Sequence, residues 1–275
     1  MKRSKSTTGG AKKRFGQHFL EPAWVTKLVQ VIDPRPTDVF LEIGPGRGAL
    51  TSPLTDKAAS VVAVEIDRGL AAELAAEPRD GLTVIKGDFL ELPAARLIDA
   101  LSRTGPGRLR VAANLPYNVG SPILVKLVDL FRGGLPVHDA VVMLQREVAE
   151  RLLAEPGTSE FGVLTVIVSR WAHVEKLLNL PPGAFRPAPK VRSTVVRLTF
   201  RAALDAVTDE DRFRSFVQTL FTRRRKTLRN ALLAWKLDGE VDIPTALLRA
   251  NLDGQRRPET FTVHELTELF HSLTG

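Results

Sequence analysis

Five short apolar runs punctuate the first half of the chain, each ending in a turn signal: residues 39–43 (VFLEI), 61–65 (VVAVE), 82–86 (LTVIK), 109–113 (LRVAA) and 140–144 (AVVML). Stretches such as 69–76 and 123–131 lie between them and carry the 3.6-residue apolar spacing of helices. Apolar residues in the runs are continuous rather than alternating, which requires burial on both faces and therefore a parallel sheet sandwiched by helices. The fold class expected is α/β, a doubly wound Rossmann-like sheet. Two later runs, 174–178 and 194–200, are expected to close that sheet at one edge as an antiparallel hairpin. Their connection, PPGAFRPAPK, is too rich in Pro and Gly for a helix.

Beyond Phe200 the pattern turns helical. Thr208 with Asp211 resembles a capping box, and a long periodic segment follows through Phe213, Phe216, Val217, Leu220, Phe221, Leu228, Ala231 and Leu232. Thr262 and Glu265 form a second capping box before Leu266, Leu269 and Phe270. Residues 205–208 thus link a larger unit, 15–204, to a small all-helical domain, 205–275. Residues 1–14 read as a basic, flexible leader, with no apolar core of a secretory signal.

The 275 residues contain no cysteine, which removes disulfides, thiolate nucleophiles and thiolate metal sites together. The five histidines, His18, His138, His173, His264 and His271, show no metal-ligand spacing, so no metal is expected. No run reaches the roughly 18 apolar residues of a membrane span. The expectation is a cytoplasmic protein. Its net charge of +8 is clumped, with Lys2, Arg3, Lys5, Lys12, Lys13 and Arg14 at one end and Arg223, Arg224, Arg225, Lys226 and Arg229 near the other. Two such clusters point to a polyphosphate partner, a nucleic acid.

The chemistry gathers at the carboxyl ends of the runs. Gly44-Pro45-Gly46-Arg47-Gly48 follows the first and precedes a helix-like segment from about Ala49, a turn that lets backbone approach a ligand. Glu65 ends the second run and Asp88 follows the third: one carboxylate for ribose hydroxyls, one for an adenine amino group. Gly44-x-Gly46-x-x-Ala49 also satisfies a dinucleotide fingerprint, which keeps a nicotinamide-dependent dehydrogenase as an alternative. Two acids after successive strands suit S-adenosyl-L-methionine better, because no second nucleotide has to be housed. The fourth run ends in Asn114-Leu115-Pro116-Tyr117. An Asn oxygen and a neighbouring carbonyl can accept both hydrogens of an exocyclic adenine amine, Pro116 stiffens the turn, and Tyr117 can stack on the base.

In this order KKRFGQHFL, LEIGPGRGALT, VVAVEIDR, GDFLEL, NLPYN, LQREVAERL, FRPAPKVRSTVVRL and LFTRRRKTLRNAL resemble the ribosomal RNA adenine dimethyltransferase family, and RPETFTVHEL is similar to its bacterial small-subunit branch. The resemblance implies a class I methyltransferase sheet with a C-terminal helical rRNA-binding domain. It implies transfer of two methyl groups from S-adenosyl-L-methionine to each of two adjacent adenosines near the 3′ end of small-subunit rRNA, by a monomer acting on a pre-ribosomal small subunit. Cofactor contacts then fall on His18, Leu20, Gly44, Gly46, Glu65, Ile66, Asp88, Phe89 and Asn114. His18 departs from the Asn common at that place. The catalytic set is Asn114, Leu115, Pro116 and Tyr117, with Phe185 as a second aromatic for the target base. Arg223, Lys226, Arg229 and Lys190 are the expected rRNA contacts, with the neighbouring cations paired to acids, and the basic leader is expected to order over the bound ligands. A non-catalytic rRNA-binding relative is the remaining alternative, disfavoured by the intact NLPY turn and both acids.

Overall fold

The computed structural model describes residues 18–77, 79–235 and 242–274, so the basic leader lies outside the described residues. The chain opens with β1 (Phe19–Leu20) and α1 (Pro22–Ile32), then β2 (Asp38–Ile43), α2 (Thr51–Thr55), β3 (Ser60–Glu65), α3 (Arg68–Ala76), β4 (Leu82–Lys86), α4 (Ala94–Ser102), β5 (Arg108–Asn114), α5 (Gly120–Arg132) and β6 (Val137–Gln145). It continues with α6 (Arg146–Leu152), α7 (Val163–Trp171), β7 (Ala172–Leu180), β8 (Phe185–Arg186) and β9 (Ser193–Phe200). The helices α8 (Glu210–Thr222), α9 (Leu228–Leu232), α10 (Ile243–Arg249) and α11 (Val263–Thr274) complete it.

Seven strands form one sheet in the order β4-β3-β2-β5-β6-β9-β7. The first five are parallel, and β9 pairs antiparallel with both β6 and β7. All five apolar runs are therefore parallel strands of a doubly wound sheet, and the later pair closes its edge as the spacing predicts. Strand β2 shows why: Val39, Leu41 and Ile43 join the core beneath α4 and α5, while Phe40 joins a second core with Leu28, Val29 and Ile32 of α1. Successive side chains take opposite faces, and both faces are covered.

At the amino edge of the sheet one cation binds three strands together. The Arg110 guanidinium donates to Asp139 Oδ1 at 2.6 Å, to Asp139 Oδ2 at 2.9 Å and to Asp38 Oδ2 at 2.9 Å. It also donates to the carbonyls of Ile32 at 2.8 Å and Asp33 at 3.1 Å, which end α1. Arg110, Asp38 and Asp139 are all buried. A cation at a helix C-terminus also opposes the negative end of the helix dipole.

The helical remainder packs on α7 rather than standing apart. Phe213, Phe216, Leu220, Phe261 and Phe270 share a core with Phe161, Val166 and Ile167, whereas Val168 of the same helix faces the sheet. Arg170, only 1% exposed, holds the junction: it donates to Glu210 Oε2 at 2.5 Å and to the Asp205 carbonyl at 2.5 Å. Residues 205–208 are consequently tied down rather than a loose linker.

Two local expectations need correction. The cap of α8 is Asp209, which accepts from the Arg212 amide at 2.9 Å; the Thr208–Asp211 box does not form. The Thr262–Glu265 box does form, at 2.7 and 3.1 Å. The predicted long helix is broken at 223–227 into α8 and α9. The amides of Leu228 and Arg229 bond instead to the carbonyls of Arg256 and Gly254, at 2.7 and 3.1 Å. In a continuous helix Arg223 and Lys226 would repel at i, i+3 and Arg225 and Arg229 at i, i+4, which disfavours helix through this segment. Arg225, which helical spacing would set on one face with Arg229, lies in this turn and not on α9.

Replacing Arg110 by Met leaves buried Asp38 without its cation and leaves Asp139 with only the longer 3.5 Å contact to Arg197. The expected cost is about 3–5 kcal/mol of unfolding free energy, because breaking a buried pair strands the other charge. Urea denaturation measures it, and a loss below about 1 kcal/mol would contradict the assigned role.

Candidate active site

The parallel register brings the ends of β2, β3 and β5 together, and the sequence-predicted residues meet there. Gly44 and Gly46 have φ of +69° and +59°, a left-handed backbone that side-chain-bearing residues rarely adopt. A Cβ on Gly46 would also lie 3.3 Å from the Phe19 ring. Glu65 braces the turn. Its carboxylate accepts the Gly46 amide at 2.9 Å and the Asp67 amide at 2.8 Å. Burial pushes the Glu65 carboxyl up from its ordinary value, while the amides of Asp67 and Gly46 pull the other way.

The helix expected from about Ala49 begins only at Thr51 and runs five residues. Gly48, at φ +76°, cannot join a right-handed helix, and Pro53 has no amide to give. The glycine turn is thus held by a carboxylate and not presented on the end of a long helix.

Asn114 closes the opposite wall, its Nδ2 donating to the His18 carbonyl at 3.2 Å. The Leu115 amide bonds to the Met143 carbonyl at 3.1 Å, which anchors the Asn114-Leu115-Pro116-Tyr117 turn to β6. The Tyr117 hydroxyl lies 2.7 Å from Ser193 Oγ, and burial raises its pKa against that hydrogen bond. On the Tyr117 ring lies His18, stacked with centroids 5.6 Å apart and planes 27° apart. His18 Nδ1 donates to the Pro187 carbonyl at 2.7 Å.

His18, Leu20, Gly44, Gly46, Glu65, Ile66, Asn114, Leu115, Pro116 and Tyr117 line one crevice of ≈ 90 Å³. Small-molecule pockets run to about 300 Å³ or more, so the crevice as it stands, with the His18–Leu20 strap across the glycine turn, is smaller than a nucleoside site. Asp88 and Phe89 are not in that lining. They follow β4, where Asp88 Oδ1 accepts the Leu90 amide at 2.8 Å. Phe185 is 2% exposed: it pairs with Leu20 across β8 and β1, sits in the α1-side core and is not among the residues lining the crevice. Lys190, Arg223, Lys226 and Arg229 are exposed outside the crevice. Arg224, the neighbour expected to pair with an acid, donates instead to the Ser159 carbonyl at 2.9 Å; the Glu160 carboxyl beside it is lowered chiefly by the Ser159 hydroxyl, with the Arg224 charge a lesser cause.

Two residues escaped the sequence reading. Lys126 of α5 donates to the carbonyls of Leu90 at 2.9 Å and Leu92 at 2.7 Å, pinning the loop that carries Asp88; burial lowers its pKa and Asp88 opposes that. It also borders a larger cavity of ≈ 1120 Å³ between α5 and the helical remainder. Glu42 lines the crevice, 3% exposed, and burial pushes it up to about 8. Its signal was an acid inside a run that must be buried on both faces, where a carboxyl is either paired or protonated.

A family model described as ribosomal RNA adenine dimethylase matches residues 9–268. The chain belongs to that family. Proteins named ribosomal RNA small subunit methyltransferase A are similar to it: the one from Anaeromyxobacter dehalogenans is 43% identical, covering 96% of this chain and 93% of its own. That from Laribacter hongkongensis is 41% identical, covering 94% of each. Among solved structures, a dimethyladenosine transferase from Plasmodium falciparum superposes with TM-score 0.74 at 25% identity, covering 92% of this chain and 96% of that one. The 23S rRNA methyltransferase ErmE gives 0.62 at 26% identity, covering 93% and 99%. This dimethylase-family chain is therefore a Rossmann-like α/β methyltransferase.

Because the folded state holds the Glu42 proton up to about 8, against an ordinary value near 4.5, its contribution to stability is complete below the lower value. It is lost as pH rises through the higher one. Wild-type stability minus that of Glu42→Gln should thus fall between pH 5 and 8.5. Urea midpoints at several pH values test this, and parallel profiles would rule it out.

Proposed function

We propose that the chain transfers methyl groups from S-adenosyl-L-methionine to the N6 amines of two adjacent adenosines in the hairpin near the 3′ end of small-subunit rRNA, giving N6,N6-dimethyladenosines. It does so as a cytoplasmic monomer acting on a pre-ribosomal small subunit. The observation that carries this reading is the Asn114–Tyr117 turn, set on the same crevice as Glu65 in a chain of the dimethylase family. The chemistry of the crevice suits the cofactor: Glu65 is a ribose-accepting acid at a strand end, and Glu42 offers a buried oxygen without a donor.

When bound, the cofactor supplies an electrophilic methyl group on a sulfonium sulfur. The protein holds and polarises the acceptor. Asn114 Oδ1 and a carbonyl of the following turn accept the two amino hydrogens, aiming the nitrogen lone pair. Tyr117 stacks on the base, with its hydroxyl fixed by Ser193 so that the ring keeps its angle. For the base to lie there, His18 must leave the ring it now covers. Phe185 supplies a second face once the β1–β8 pair opens. No strong base is needed, because the amine becomes acidic once alkylated.

Residues 15–204 form the methyltransferase unit and 205–275 the rRNA-binding unit in this reading. Arg223, Lys226 and Arg229 are exposed and hold no ion pair among the described residues, leaving their charge for phosphate. Lys190, on the loop leading from Phe185, extends the same role toward the crevice.

Incubation with labelled donor and unmethylated small subunits, followed by mapping of the modified nucleotides, tests the reaction; label absent from adjacent adenosines would refute it. Tyr117→Ala should cut turnover about tenfold to a hundredfold, the equivalent of one lost base–aromatic stack, with cofactor affinity nearly unchanged. Equal losses in both would place Tyr117 in cofactor binding instead. Charge reversal at Arg223 and Lys226 should lower the slope of log affinity against log salt by about one per phosphate contact. An unaltered slope would remove this turn from the rRNA interface.

A further inference from the structure

The Tyr117 hydroxyl links the crevice to a second space. Its partner Ser193, at 2.7 Å and only 1% exposed, borders a cavity of ≈ 850 Å³ between α6, the loop that follows it and the paired ends of β7 and β9. Crevice and cavity are thus joined through one hydrogen bond. Thr194 Oγ1 donates to Asn179 Oδ1 at 3.0 Å on the cavity wall, which occupies the amide oxygen and leaves Nδ2 as a donor for something else. Two of the acids lining the cavity are engaged: Glu150 takes Arg146 at 2.6 Å, and Glu160 takes the Ser159 hydroxyl at 2.5 Å. The cations Lys176 and Arg192 also line it, are exposed, and hold no ion pair among the described residues. Free cations and an amide donor around a space large enough for a nucleotide suit a phosphate and the acceptor edge of a base.

We propose that this cavity receives the nucleotide flanking the target adenosine in the substrate RNA, with its phosphate on Lys176 and Arg192 and a ring nitrogen or carbonyl of its base on Asn179 Nδ2. The inference rests on the reading that the crevice admits an RNA adenine, and it adds the course of the strand beside it. A base drawn out of its stack takes the continuous backbone with it, so the neighbouring nucleotide needs polar partners of its own. An amide that only donates suits a neighbour of any identity, because every base carries an acceptor. Methylation of an exocyclic amine leaves the ring nitrogens able to accept. The same cavity therefore serves whether or not the neighbour has already been modified.

The chain has no cysteine, so Lys176→Cys and Arg192→Cys each create a single attachment point for a short photo-crosslinker. Both full-length variants, labelled and irradiated on unmethylated small subunits, should crosslink to the nucleotides next to the adenosines that the wild-type protein methylates. A label at His138→Cys, exposed where β6 begins at the opposite edge of the sheet, should not. Asn179→Asp keeps an acceptor for Thr194 and loses the donor. It should cut kcat/KM on small subunits about tenfold, with S-adenosylhomocysteine affinity unchanged. Crosslinks only to rRNA remote from those adenosines, the same crosslinks from His138→Cys, or none from cysteine variants that still methylate the subunits would overturn the assignment of the cavity. An unaltered kcat/KM for Asn179→Asp would overturn the base contact. Failure of the wild-type protein to methylate any adenosine of the subunits would overturn the underlying reading, and this inference with it.

Discussion

A single carboxylate that accepts two backbone amides joins the ends of neighbouring strands, and the site depends on it. Glu65 ends β3 and holds both the Gly46 amide of the turn after β2 and the Asp67 amide that leads into α3. Without that brace, a turn of left-handed glycines would have no reason to stand in one conformation, since glycine gives up more freedom on ordering than any other residue. Parallel register then does the rest: strands that start together end together, so Gly44, Glu65 and Asn114 reach one edge from distant parts of the chain. At the other edge Arg110 fastens β2, β5 and β6 to the end of α1, so the strands cannot slide relative to one another. One end of the sheet is locked by buried charge, and the other is left to bind.

The crevice at that free end is already occupied by the protein itself. His18 lies on Tyr117, the His18 carbonyl takes the Asn114 amide, and Phe19 rests on the glycine turn beneath the Arg47 guanidinium at 4.7 Å. These contacts satisfy groups that a cofactor and a base would otherwise claim. The strap that makes them pairs with β8 through two residues only, a short ladder compared with the strands of the main sheet. The structure also weighs against the dinucleotide alternative. A pyrophosphate is ordinarily received on the exposed amides of a helix N-terminus. Here Ala49 lies in a turn, the helix after it has five residues, and the Gly46 amide is already engaged.

What could be read in the sequence followed from regular physics. Runs such as VVAVE are long, apolar and bounded, so burial on both faces and a parallel sheet were legible, and with them the edge on which Glu65 and Asn114 fall. The antiparallel closure by β7 and β9 was legible for the same reason. Two-residue strands such as β1 and β8 carry no periodicity, so their pairing, and with it the placing of His18 over Tyr117 and the burial of Phe185, had no signal. The break before α9 was hidden because Phe213 through Leu232 keep helical spacing on either side of it, while the amides of Leu228 and Arg229 are satisfied from residues 254–256. Lys126 was invisible because a lysine on a helix reads as solvated unless its target carbonyls are known. Glu42 was legible in principle, as a charge within a doubly buried run.

The central claim is that the sheet-edge crevice is the cofactor site, and crystals grown with S-adenosylhomocysteine test it most directly. The account predicts density in the crevice with ribose hydroxyls on Glu65 and the His18–Leu20 strap displaced to admit it. Density confined to the ≈ 1120 Å³ cavity beside α5, or a nicotinamide nucleotide filling the crevice where S-adenosylhomocysteine does not, would contradict it.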